Sequence, residues 1–194
     1  MKSAVLNRCG AVASAFLVAG VLASCNKGNR ADERLETSTL KVEIDQVKAD
    51  QAAVEKNLAT FDTLDFDIFS HQKWDRLGES HADNIVVHWP DGHSTTGIQV
   101  HIEDLKAMFV YAPDTKITTH PVRFGSGNWT CATGVMTGTF SQPMPIGNGQ
   151  SIPPTGKTFN VPMCTVGRWE NGKMVEESLF WDNQTFMKQI GLAK

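Results

Sequence analysis

A chain of 194 residues with 41% hydrophobic content can bury one real core and is short for two full domains. Its 18 basic and 21 acidic residues give a formal net charge of −3 and a pI near 6.0, so there is no electrostatic ground for a nucleic-acid partner.

Residues 1–25, MKSAVLNRCGAVASAFLVAGVLASC, have the layout of a bacterial export signal. Lys2 and Arg8 supply the positive front, and Gly10 to Ala23 the apolar stretch. That stretch is too short and too rich in small residues to make a good spanning helix. Leu22-Ala23-Ser24-Cys25 resembles the lipobox of bacterial lipoproteins. The resemblance implies cleavage before Cys25 and lipid modification of that residue. Asn26 in the next position implies an outer-membrane protein facing the periplasm if the host is Gram-negative. Cleavage removes Lys2 and Arg8 and no acid, so the mature chain is more acidic than the whole. The membrane is expected as a partner through this anchor only.

Residues 25–44 follow as a polar, charged tether with few large apolar groups, which leaves 45–194 as the folded domain. Helical spacing starts near Val47 and continues through Ala53, Val54, Leu58 and Phe61. A second helix is expected from Asp65, its N-cap, carrying Phe66, Phe69, Trp74 and Leu77. Asp62, Asp65 and Asp67 read as caps and a solvated edge. Asn84 to Trp89 reads as a strand closed by the turn Pro90-Asp91-Gly92. The segment IQVHIEDLKAMFVY places Ile98, Ile102, Leu105 and Phe109 on one helical stripe, and Pro113-Asp114 stops it.

Three strand-like runs come next: Lys116 to Gly125, Asn128 to Phe140 and Lys157 to Trp169. The loop SQPMPIGNGQSIPP between the last two is long, rich in Pro and Gly, and expected to have no element of its own. Asn171-Gly172 is the strongest hairpin signal in the chain. After it, Lys173 to Asp182 alternates. Val175, Leu179 and Trp181 fall in one set; Met174, Glu176, Ser178, Phe180 and Asp182 fall in the other. The second set mixes apolar and acidic groups, as the wall of a pocket does. Strands gathered after helices argue for an α+β domain with a largely antiparallel sheet.

The ending GKMVEESLFWDNQTFMKQIGL resembles the SnoaL-like polyketide cyclase (ester cyclase) family, within the nuclear-transport-factor-2-like superfamily. Gly172, Lys173, Met174, Glu176, Asp182, Gln189 and Gly191 carry the match. His88, Pro90-Asp91-Gly92, Pro113-Asp114 and Pro154-Thr155-Gly156-Lys157 support it. The chain departs from the family pattern at Ser178, where Trp is usual, and at Phe140, where His is usual. The resemblance implies a cone-shaped, curved antiparallel sheet packed against N-terminal helices. It also implies cofactor-free acid–base chemistry: an Asp removes a proton next to a carbonyl, and the enolate closes a ring by aldol attack. Asp182 would be that base, with His88 or His120 donating to the carbonyl oxygen. Glu176, Ser178, Phe180, Trp89 and Phe140 would line the pocket around a small hydrophobic ligand, in a homodimer.

Each candidate also has a plainer reading. Asp182 directly precedes a helix and suits an N-cap. His88 and His120 suit satisfied core histidines, and Glu176 suits a partner for Arg123 or Arg168. Trp89, Trp129, Trp169 and Trp181 suit core and interface bulk. Cys131 and Cys164 are expected to meet across paired strands, as a disulfide or as two buried thiols. The six histidines include no His-Glu-x-x-His and no tight Cys/His pair, so no metal site is expected. Gly156-Lys157-Thr158 lacks the first glycine of a phosphate loop, and no nucleophile elbow is present. A non-catalytic ligand-binding lipoprotein and a structural dimerising domain remain as rival functions.

Overall fold

A computed structural model describes residues 16–194, with side chains from residue 29 onward except Ala31. The front of the expected export signal and the side chain of Cys25 lie outside the described residues. The chain divides into two compact units, Met1–Lys48 and Ala49–Lys194. One long helix, α1 (Phe16–Thr63), runs from the first into the second. In the first unit its described side chains are exposed, Leu35, Leu40, Val42 and Ile44 included. The segment read as a tether is therefore helical. Among the described residues no helix is long and apolar enough to cross a membrane.

In the second unit α1 turns one narrow face inward: Val54, Asn57 and Phe61 are buried, whereas Ala53 is exposed, as is Val47 in the first unit. No second helix is capped at Asp65. The helix widens instead into a π-helical turn, Leu64–Phe69, that buries Leu64, Asp65, Ile68 and Phe69. A 3₁₀ turn follows at Trp74–Glu79.

The strands are β1 (His81–His88), β2 (Ser94–Thr96), β3 (Lys116–Ile117), β4 (Arg123–Ser126), β5 (Trp129–Thr139), β8 (Thr158–Glu170) and β9 (Lys173–Trp181). They form one curved sheet in the order β2-β1-β9-β8-β5-β3, with β4 also on β5. All pairs are antiparallel except β1 with β9. Helix α2 (Ile98–Tyr111) follows β2 and α3 (Asn183–Gln189) closes the chain. The loop expected to be structureless holds a small hairpin, β6 (Met144–Gly147) and β7 (Gln150–Ile152). Its turn is carried by Gly147, Asn148 and Gly149, all at positive φ.

The core fills the concave side of the sheet, from Phe61 and Ile68 through Ile85, Val87, Ile102 and Leu105 to Met136, Val161 and Met174. Full burial of such side chains contributes roughly 1.5–3 kcal/mol each. At Gly125 the chain passes so near α1 that a Cβ would meet Trp129 O at 2.5 Å and Val54 Cγ1 at 2.8 Å. The α+β fold with a curved sheet under an N-terminal helix is thus as expected.

Candidate functional site

A bulge in β9 decides which of its side chains face the concave side. In β9, Val175 is the extra residue, because Met174 pairs with Trp169 while Glu176 pairs with Arg168. The alternation shifts there, so Met174, Glu177, Leu179 and Trp181 line the interior. Glu176, Ser178 and Phe180 take the outer face. In β1 His81, Ile85 and Val87 fall on the same inward face by plain alternation, although the pairing with β9 shifts between His81 and Val86.

The cone encloses a cavity of about 40 Å³. Leu64, Leu105, Ile117, Met136, Met163 and Leu179 make its apolar wall, with half-buried Trp89, Met108 and Trp181. Trp89 and Trp181 meet edge to face at 6.3 Å. Four ionisable groups also line it: Asp65, His81, His101 and Glu177.

On one side stands Asp65, with Oδ2 2.8 Å from His120 Nε2. His120 Nδ1 lies 2.8 Å from Asp62 Oδ1, and Arg123 pairs with the other oxygen of Asp62. The rings of Phe61 and Phe66 cover the imidazole at 5.2 and 4.6 Å. Burial drives the Asp65 carboxyl above its ordinary 3.8, against the lowering effect of His120. Burial also opposes charge on His120, but its bonds to Asp65 and Asp62 outweigh that and hold the imidazolium above 6.5.

Glu177, 4% exposed, also lines the cavity. Its Oε2 lies 3.3 Å from His101 Nε2 and 3.6 Å from His81 Nε2. Burial pushes its carboxyl up, yet the imidazoles of His101 and His81 hold it below 4.5. The cavity is therefore lined by one carboxyl group raised and one lowered.

The expected site residues divide accordingly. Asp182 is the N-cap of α3: Oδ1 accepts from the backbone N–H groups of Gln184 and Thr185, and Oδ2 from Thr185 Oγ1. Those bonds hold its carboxyl below 3.8, and it does not line the cavity. His88 sits on the outer face between Ser94 and Glu176, and Glu176 pairs with Arg168. Ser178 shares that face, and Phe180 is 54% exposed on it. Phe140 is fully buried in the core and stands apart from the cavity. Trp89 does line it, and His120 reaches it through Asp65. Cys131 and Cys164 are two thiols with sulfurs 3.5 Å apart; burial, then Cys131, push Cys164 up to about 11.

Sequence reading passed over Asp65, His81, His101 and Glu177. For His101 a signal existed, because it falls on the Ile98–Leu105 stripe and is buried with it.

A family model for SnoaL-like polyketide cyclases matches residues 60–190. No curated protein matches the chain. Among solved structures, one from Jannaschia sp. CCS1, described provisionally as a SnoaL-like polyketide cyclase, aligns with a TM-score of 0.63 at 20% identity. That alignment covers 73% of this chain and 95% of that one. IdmH from Streptomyces antibioticus, described provisionally as a polyketide cyclase, aligns at 0.59 and 24% identity, covering 70% and 98%. A Catenulispora acidiphila protein with a ketosteroid-isomerase-like fold aligns at 0.55 and 14%, covering 70% and 92%. At these identities the likeness to each structure shows the fold alone.

Proposed function

Because the chain belongs to the SnoaL-like polyketide cyclase family, we propose that its cone binds a small hydrophobic carbonyl compound and moves a proton next to that carbonyl. One observation carries the reading: Asp65 and Glu177 face the same cavity with their carboxyl groups pushed in opposite directions. Asp65 is the base, made more basic by burial and kept in place by His120. The His81–His101–Glu177 wall stabilises the negative charge that develops on the carbonyl oxygen. The resulting enolate closes a ring or takes its proton back at another carbon. A cavity of about 40 Å³ is far below the roughly 300–1,000 Å³ of ordinary ligand pockets. A small substrate therefore suits the site better than a multi-ring one.

The tight cavity also favours a second reading, a structural domain whose pocket is vestigial. Incubating the protein in D₂O with small enolisable ketones separates the two. Deuterium entering the α-carbon faster than in buffer supports proton abstraction; exchange at the buffer rate throughout the ketone set supports the structural domain. The proposal also keeps a lipid anchor at Cys25 and a homodimer built on the outer sheet face, where Val122, Phe124, Trp129 and Phe180 are exposed.

The base assembly predicts a pH dependence. His120 is held above 6.5, so its contribution to stability is complete below 6.5 and lost as pH rises through its folded value. Asp65, raised above 3.8, acts in the same direction. Thermal melts of wild type and His120→Gln should differ most in mild acid and converge in alkali. A difference that grew with pH would contradict the assignment.

A further inference from the structure

We infer that His81, His101 and Glu177 form a binding site for one divalent transition-metal ion of the zinc class, with an open position facing the cavity. Its part in catalysis rests on the proposed function above; the binding itself rests on geometry. The three ligand atoms lie within 4.8 Å of one another on buried residues. Bonds of about 2.0–2.2 Å in a tetrahedron set neighbouring donors roughly 3.3–3.6 Å apart. Glu177 Oε2 stands 3.3 Å from His101 Nε2 and 3.6 Å from His81 Nε2.

Hydrogen bonding points the same way. Glu177 Oε2 and His81 Nε2 are buried with no hydrogen-bond partner, although the ion-pair distance between them is short. Native interiors leave few such groups without a reason. Ser80 supplies the reason for His81. With its hydroxyl donating to Leu77 O at 3.1 Å, it accepts from His81 Nδ1 at 2.9 Å. In that arrangement Nδ1 carries the ring proton, and in a neutral His81 the lone pair of Nε2 faces the Glu177 oxygen. Two acceptors that face each other in a dry site need a cation between them. A bond from the far ring nitrogen to a neighbouring oxygen is also how metal-bound histidines are normally held. Two His and one carboxylate leave a fourth position free for water or a substrate oxygen. The cavity of about 40 Å³ beside it has room for about one water, whose share of liquid volume is about 30 Å³. At that position the ion would polarise a carbonyl oxygen in the cavity that Asp65 also lines.

The test uses the untagged protein, stripped with a chelator and titrated with Zn²⁺ by calorimetry, alongside metal analysis of the protein as purified. One Zn²⁺ per chain is expected. Glu177→Gln and His101→Leu should bind at least about 100-fold more weakly, and Ser80→Ala about 10–100-fold more weakly. Should a variant fail to fold, wild-type imidazole NMR signals decide the point: Zn²⁺ must shift those of His81 and His101 and leave His120 little changed. Absence of stoichiometric binding, or shifts confined to the exposed histidines, overturns the site and leaves a protonated His–Glu–His ion cluster. Zn²⁺ binding without ketone exchange would sink the proposed function and keep the metal site. Exchange at full rate in metal-free protein would keep the function and remove the metal from it; the binding result alone then decides whether the site exists.

Discussion

Replacing Asp65 with asparagine is expected to slow α-proton exchange of a ketone substrate by about 10²- to 10⁴-fold, the usual worth of a positioned general base. Asparagine keeps the shape and still offers an oxygen to His120, so the protein should fold and the loss should fall on the chemical step. Steady-state kinetics would show it as a lower kcat with KM little changed. Asp182→Ala provides the contrast. It removes the cap of α3, whose carboxylate takes three hydrogen bonds from Gln184 and Thr185. Its expected result is a lower Tm with the exchange rate retained. If Asp182→Ala abolished exchange in a folded protein while Asp65→Asn did not, the base would lie at the end of β9 and outside the cone.

Replacing Glu177 with glutamine is expected to give the larger loss of stability, about 3–5 kcal/mol in denaturant unfolding near neutral pH. The carboxylate is 4% exposed and lies within 3.6 Å of the buried imidazoles of His101 and His81. Glutamine fills the volume but gives up the charged contact with them, or with a metal ion bound there. Since His101 and His81 hold the carboxyl below 4.5, its contribution is present above 4.5 and fades as pH falls through the folded value. The gap between wild type and variant should therefore narrow in acid. A difference within about 0.5 kcal/mol at neutral pH, as for an ordinary surface substitution, would contradict this account.

Periodicity was a good guide to the elements and a poor one to the site, for reasons visible at single residues. Helix α2 and the long strands β5, β8 and β9 match their expected runs closely, because apolar spacing and turn residues act locally. The inner face of β9 was misread by one position. Strict alternation put Glu176 in the pocket, whereas the bulge at Val175 puts Glu177 there and turns Glu176 toward Arg168 and His88. A bulge of that kind has no mark in the local sequence. Asp65 looked like a cap, as an Asp before an apolar stripe ordinarily is; the π-helical turn keeps the helix going and carries the carboxyl into the core. His81, His101 and Glu177 come from a strand end, a helix and another strand, so no spacing motif could join them. For Asp182 the sequence already held the answer, since the helix that it caps was legible from Asn183 onward.

Carbon-13 NMR titration of the side-chain carboxyl groups in the whole protein tests the central claim most directly, with Asp65→Asn and Asp182→Asn assigning the two signals. The account predicts that Asp65 titrates clearly above 3.8 and Asp182 clearly below it. An Asp65 value at or below 3.8 with Asp182 raised would place the desolvated carboxylate on the wrong residue and contradict the cone-centred base.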